Sequence, residues 1–177
     1  MNESGFGEVW FYPRSVDVNA FMPIFKQRCY DMYIAEWRVC VRNSPSIMLF
    51  KNIKENFQMA DYLKLMENHK HRHVITKIRL SSHCLEIERG RHRNIPRNDR
   101  LCTLCIQRTI EDEFHFILEC PVYNNIRMQY IPNWYRTRPN MIKLIDLLSS
   151  TNVQLLYRLA NYLIKAFEKR NTLLNGN

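Results

Sequence analysis

Cys102, Cys105, His115 and Cys120 lie within nineteen consecutive residues, in the stretch "RLCTLCIQRTIEDEFHFILECPVY" (100–123), and Pro121 follows the last of them. A C-x2-C pair lets one tight turn aim two sulfurs at a single ion. A histidine and a third cysteine then complete the donors of a closed tetrahedral Cys3His site, the kind that holds structural zinc. The pair alone is also the spacing of a thioredoxin-like redox couple. The complete pattern, C-x2-C-x9-H-x4-C, is far more specific and favours zinc. With all four positions filled by protein, no place is left for water or substrate, so the zinc is expected to be structural rather than catalytic.

The elements that must bring these donors together follow from the residues between them. Thr109 is the expected N-cap of a short helix from about Ile110, with Glu111, Asp112 and Glu113 in its first turn. That acidic trio reads as a complement to the helix dipole and as solvated surface. On an unbroken helix, Cys120 would stand about 140° around the axis from His115. Pro121 forbids this, because a residue before proline is pushed out of helical geometry. The helix should end near Leu118 or Glu119 and let Cys120 turn back, while Phe114, Ile117 and Leu118 anchor it on the core. Three thiolates, a neutral imidazole and Zn2+ would carry one negative charge, which Arg100 and Arg108 are placed to offset. His83 and Cys84 are spare candidate ligands, but a core or surface role suits both better.

The formal charge of +9 is concentrated. The stretch 69–100, "HKHRHVITKIRLSSHCLEIERGRHRNIPRNDR", supplies +6 of it and holds five of the six histidines. Lys70, Lys77, Arg72, Arg79, Arg89, Arg91, Arg93, Arg97 and Arg100 are the candidate contacts to a polyanion, RNA or DNA, through its phosphates. A solvated helix face is the plainer reading. The stretch contains no Phe, Tyr or Trp, so it offers no stacking platform for bases. Binding through it should depend steeply on salt and little on sequence. Tyr123, Tyr130, Trp134 and Tyr135 could stack bases beside Arg136 and Arg138, although core packing suits most of them better. His69, His71 and His73 read as exposed.

Composition narrows the remaining possibilities. Hydrophobic residues make up 46% of the 177, enough for a core, and only four glycines occur, which speaks against a turn-rich β sandwich or a glycine-rich phosphate cradle. No apolar run reaches the roughly 18 residues of a membrane span. The N-terminus lacks a signal-peptide pattern, so an intracellular protein, nuclear or cytoplasmic, with reduced thiols is expected. The even count of six cysteines could indicate disulfides, but compartment and spacing disfavour them.

The fold class reads as mostly α. Residues 1–18 look like an irregular arm, and 19–68 an N-terminal helical region whose first helix starts near Pro23 and ends at Asn43. Cys29, Tyr33, Trp37 and Cys40 recur there at helical spacing and read as core. A short helix is expected over 60–66. Residues 69–131 hold a basic helix, from His69 to about Cys84 with Val74, Ile75 and Ile78 inward, then a segment closed by Gly90, a basic loop, and the zinc-binding stretch. Residues 132–177 read as a C-terminal helix pair, 140–148 and 152 to about 170, with Lys165, Lys169 and Arg170 at the negative end of the second.

The order "ITKIRLSSHCLEIERGR", "RLCTLC", "EDEFHFILECPVY" resembles the zinc-binding (CCHC) segment at the C-terminal end of reverse transcriptases of LINE-type (non-LTR) retrotransposons. Ile78, Arg79, Leu80 and His83 match the helix that precedes the cysteine pair in that family, with Ser81-Ser82 where Thr-Gly is usual. Cys102, Cys105, His115, Cys120 and Pro121 match its ligand set. The resemblance covers about residues 74–127. It implies a tail that grips template RNA or target DNA, without polymerase activity, since the polymerase and RNase H motifs are missing. The alternative is a structural or protein-interaction zinc domain with no nucleic-acid role.

Overall fold

The computed structural model describes residues 5–12, 17–44, 46–54 and 56–176. Helices dominate, and no strand occurs among the described residues beyond one isolated bridge, so the fold is mostly α as the sequence implied. No helix among them is long and apolar enough to cross a membrane. The chain divides into two compact units, Met1–Ser44 and Pro45–Asn177.

In the first unit, Gly7–Phe11 forms one helical turn, α1, within the stretch expected to be an irregular arm. Residues 1–4 and 13–16 of that arm lie outside the described residues. Helix α2 runs Val18–Asn43 and starts well before Pro23, because the Asp17 carboxylate accepts the N–H of Asn19 at 2.9 Å and caps it. Pro23 is tolerated in the second turn, where its missing N–H leaves only the Asn19 carbonyl without its helical donor. Phe6, Phe21 and Phe25 cluster with ring centroids 5.2–5.7 Å apart. Cys29, Tyr33 and Cys40 are exposed and Trp37 is half-buried, which corrects their reading as core. A unit of one long helix and one turn has no second layer to bury a full apolar stripe.

The second unit contains α3 (Met48–Ile53), α4 (Asp61–Leu65), α5 (His69–Arg79), α6 (Glu86–His92), α7 (Asn124–Tyr130), α8 (Asn133–Arg136), α9 (Met141–Ser149) and α10 (Val153–Asn175). One hydrophobic core runs through it from Leu49 to Ala166. Leu156, Leu159, Ala160, Leu163 and Ala166 form a fully buried stripe on α10, which packs chiefly on α5 and α7 with α9 alongside. Burying each large aliphatic side chain contributes about 1.5–3 kcal/mol. Asparagines start the three clearest helices: the side chains of Asn68, Asn140 and Asn152 accept the N–H groups of His71, Lys143 and Leu155.

Three expected boundaries move, each for a local reason. Helix α5 stops at Arg79, because Ser81 takes a left-handed φ of 49° and the Ser82 N–H closes on the Lys77 carbonyl at 2.8 Å. Cys84 is therefore exposed instead of facing inward. Gly90 does not close a segment but sits buried within α6, since the Arg100 side chain lies over it: a Cβ there would come within 2.5 Å of Arg100 Cγ. Helix α10 continues five residues past Arg170, whose side chain turns into the core and leaves the helix end uncapped by it.

Candidate metal centre

Residues 100–111 fold as a miniature hairpin. Leu101 bridges Ile110, the Cys102 N–H donates to the Thr109 carbonyl at 2.8 Å, and the Glu111 N–H to the Arg100 carbonyl at 2.9 Å. Cys102 and Cys105 stand on its turn. Thr109 is thus not an N-cap, because the hairpin holds its backbone. The helical segment begins instead after Asp112, whose carboxylate accepts the His115 N–H at 2.9 Å.

The continuation is what aligns the last two donors. His115–Glu119 is a π turn, in which the Cys120 N–H reaches the His115 carbonyl at 2.7 Å. An i→i+5 bond widens the turn, so Cys120 comes back over His115 instead of standing across the axis from it. The segment ends at Glu119, before the Cys120–Pro121 step, as the proline required. Widening a turn frees carbonyls, and buried side chains take them up. Arg127, 4% exposed, donates from Nε to the Ile117 carbonyl and from Nη2 to the Cys120 carbonyl, both at 2.8 Å. The Tyr162 hydroxyl donates to the Phe116 carbonyl at 2.6 Å.

Cys102, Cys105, His115 and Cys120 converge, with their donor atoms all within 4.8 Å of one another. A tetrahedral zinc–thiolate site has edges of about 3.8 Å, from Zn–S bonds of about 2.3 Å. A small contraction closes the cluster on one metal ion. His115 turns Nε2 to the cluster, 3.5 Å from Cys105 Sγ, while its Nδ1 lies 2.9 Å from Thr109 Oγ1. That hydrogen bond fixes the ring and leaves Nε2 free to ligate. Cys102 is held down to about 3, first by the hydrogen bond from Cys120, against its burial, and then by His115 and the N–H groups of Leu104 and Cys105. The same bond, with burial, pushes Cys120 far above the ordinary thiol value. Burial raises Cys105 as well.

The acidic trio is not solvated surface. Glu111 is fully buried and takes both Nε and Nη2 of Arg170, at 2.9 and 2.7 Å. Glu113 accepts from Ser81 Oγ at 2.6 Å and faces His83 Nε2 at 2.9 Å, which gives His83 a partner of its own away from the metal cluster. Cys84 is likewise no part of the cluster. Alternating roles on consecutive residues carry no helical period, so nothing in their spacing marked two of them as buried anchors.

No protein-family model, curated protein or solved structure matches the chain. The chemistry of the site and of its surface therefore carries the functional reading.

The nine cations of 69–100 do not form one exposed face. Arg79 is buried: its guanidinium lies 4.7 Å from the centre of the Tyr62 ring and donates to the Leu148 carbonyl, so it is withdrawn as a phosphate contact. Arg100 donates to the carbonyls of Ile95 and Ile87, both at 2.9 Å, and serves the loop rather than a ligand or the charge of the metal site. Arg72 reaches the Leu63 carbonyl at 3.3 Å. Arg89 and Arg91 pair with Glu86 and Glu88 on their own helix, and Arg97 lies 3.8 Å from Asp112. Lys70, Lys77 and Arg93 are exposed with no carboxylate partner among the described residues, and Arg108 on the hairpin shares that state. Of the candidate stacking residues, Tyr123 and Tyr135 are buried, Tyr130 is half-buried and Trp134 is exposed. His69 and His73 are exposed as expected, but His71 is half-buried against Asn161 at 3.1 Å.

Proposed function

We propose that this chain is a zinc-stapled nucleic-acid-binding module, similar to the C-terminal tail of a LINE-type reverse transcriptase and without polymerase activity of its own. Three thiolates and an imidazole close enough to share one ion suit zinc among the common divalent ions. With four protein donors the ion has a structural role. Lys70, Lys77, Arg93 and Arg97 then act as phosphate contacts for RNA or DNA, with Arg72 and Arg89 secondary.

The observation that carries this reading is the set of exposed, unpaired cations at Lys70, Lys77 and Arg93 that remains after internal pairing is subtracted. The internal use of Arg79 and Arg100 favours the second reading, a structural or protein-interaction metal domain. A salt series separates the two. Metal-loaded protein should lose affinity for labelled single-stranded RNA with a log–log slope of about −2.8, and for a DNA duplex of about −3.6, for four phosphates released. Lys70→Ala, Lys77→Ala and Arg93→Ala combined should flatten the slope by most of that amount. Absence of binding at low salt, with one equivalent of metal present, would leave the second reading.

A further inference from the structure

The stretch 69–100 lacks Phe, Tyr and Trp, yet the fold supplies a phenyl ring from elsewhere. Helices α5 and α10 pack side by side, and a groove of about 510 Å3 opens between them, within the size range of ligand pockets, about 300–1,000 Å3. Val74, Ile164 and Phe167 give it a mostly apolar floor. Lys70 and Lys77, neither with a carboxylate partner among the described residues, stand at its α5 edge about two helical turns apart, with Glu168 the carboxylate opposite them. His69 and His73 lie on the same edge with rings nearly parallel, 13° apart at 6.1 Å between centroids.

We infer that this groove receives the bases of a single-stranded nucleic acid while Lys70 and Lys77 hold the flanking phosphates. The inference rests on the nucleic-acid reading above and names the site and strand state for it. A base presents flat apolar faces joined to an anionic backbone, and the groove presents an aromatic and aliphatic floor beside two cations about two turns apart on α5. Stacking on such a floor is tolerant of sequence, because every base has a π-face. A duplex keeps its bases paired inward and can use only the cations. The groove is accordingly a device for telling single strands from duplexes.

The exposed thiol of Cys84, which lines the groove, reports its occupancy, and the exposed Cys29 and Cys40 of the first unit serve as internal references. Metal-loaded protein is treated with iodoacetamide, with and without a uridine hexamer, and each thiol's alkylation rate is read by peptide mass. At about ten times its Kd the hexamer should slow Cys84 about tenfold, as the bound fraction dictates, and leave Cys29 and Cys40 unchanged, while a short duplex leaves all three unchanged. Asn171→Trp, an exposed position that fills the groove, should weaken hexamer binding about tenfold and spare duplex binding; Lys77→Ala should weaken both. Hexamer binding seen by anisotropy, with Cys84 reacting as in the free protein or with Asn171→Trp binding as tightly as the parent, overturns the groove and leaves the nucleic-acid reading standing. Failure of both hexamer and duplex to bind at low salt overturns both. Cys84 protection in the free protein, together with a dimer on sedimentation, would assign the groove to a second copy and overturn it too.

Discussion

Cys120→Ser should release the metal and cost the second unit much of its stability. A serine hydroxyl is a poor zinc ligand, so native mass spectrometry is expected to find one equivalent of metal on the parent and none on the variant. Structural zinc contributes about 10–16 kcal/mol in peptides that do not fold without it. Here Phe116, Ile117 and Tyr123 pack the same segment into the core, fully buried, so part of the segment's order survives the loss. A loss on the order of 5 kcal/mol remains, equivalent to a thermal midpoint lower by about 10–20 °C in a chain of this size. A chelator acting on the parent should reproduce the shift, and Cys84→Ser should not. Cobalt in place of zinc should give the visible bands of a tetrahedral thiolate site. Metal-free protein with an oxidised Cys102–Cys105 pair and an unchanged midpoint would instead return the chain to redox chemistry.

The four ligands were legible because each carries its own chemical signal and because Pro121 announces where the helix must stop. The means of alignment was not legible. A π turn has no residue signature, and the buried side chains that make it tolerable, Arg127 and Tyr162, lie up to 46 residues from the carbonyls they satisfy. The amphipathic helices α5, α9 and α10 were readable from apolar spacing, while α3, α6, α7 and α8 are four to seven residues long, too short for a period to show. Charge was read worst. An arginine looks the same in sequence whether it faces solvent or, like Arg79 and Arg100, donates to backbone carbonyls, and only the tertiary position of Leu148, Ile95 and Ile87 distinguishes the two. The exposure of Cys29 and Cys40 has the same origin: spacing identifies a face but not whether a layer exists to cover it.

Arg170→Met should destabilise the second unit by about 3–5 kcal/mol, because it strands the Glu111 carboxylate in the core without its countercharge. Glu111 is fully buried and Arg170 is 1% exposed, so neither charge can fall back on water. Their contact is bidentate, and Glu111 Oε2 also accepts the Glu86 N–H at 2.8 Å. Glu111→Gln keeps an acceptor for Glu86 while removing the charge. The double variant, Glu111→Gln with Arg170→Met, should therefore cost clearly less than the two single variants added together. Urea unfolding of the four proteins measures this as a coupling energy, and additive costs within about 0.5 kcal/mol would show that the pair is not coupled. The same cycle should appear in the metal. Glu111 closes the hairpin through its N–H to Arg100, one residue after the Leu101–Ile110 bridge, so freeing Arg170 loosens the frame that holds Cys102 and Cys105. Transfer of the bound metal to a chelator should be faster in Arg170→Met than in the parent and restored in part by the double variant. A donor cluster spanning nineteen residues is thus tied to a side chain fifty residues further along the chain, and α10 belongs to the cluster as much as to the core.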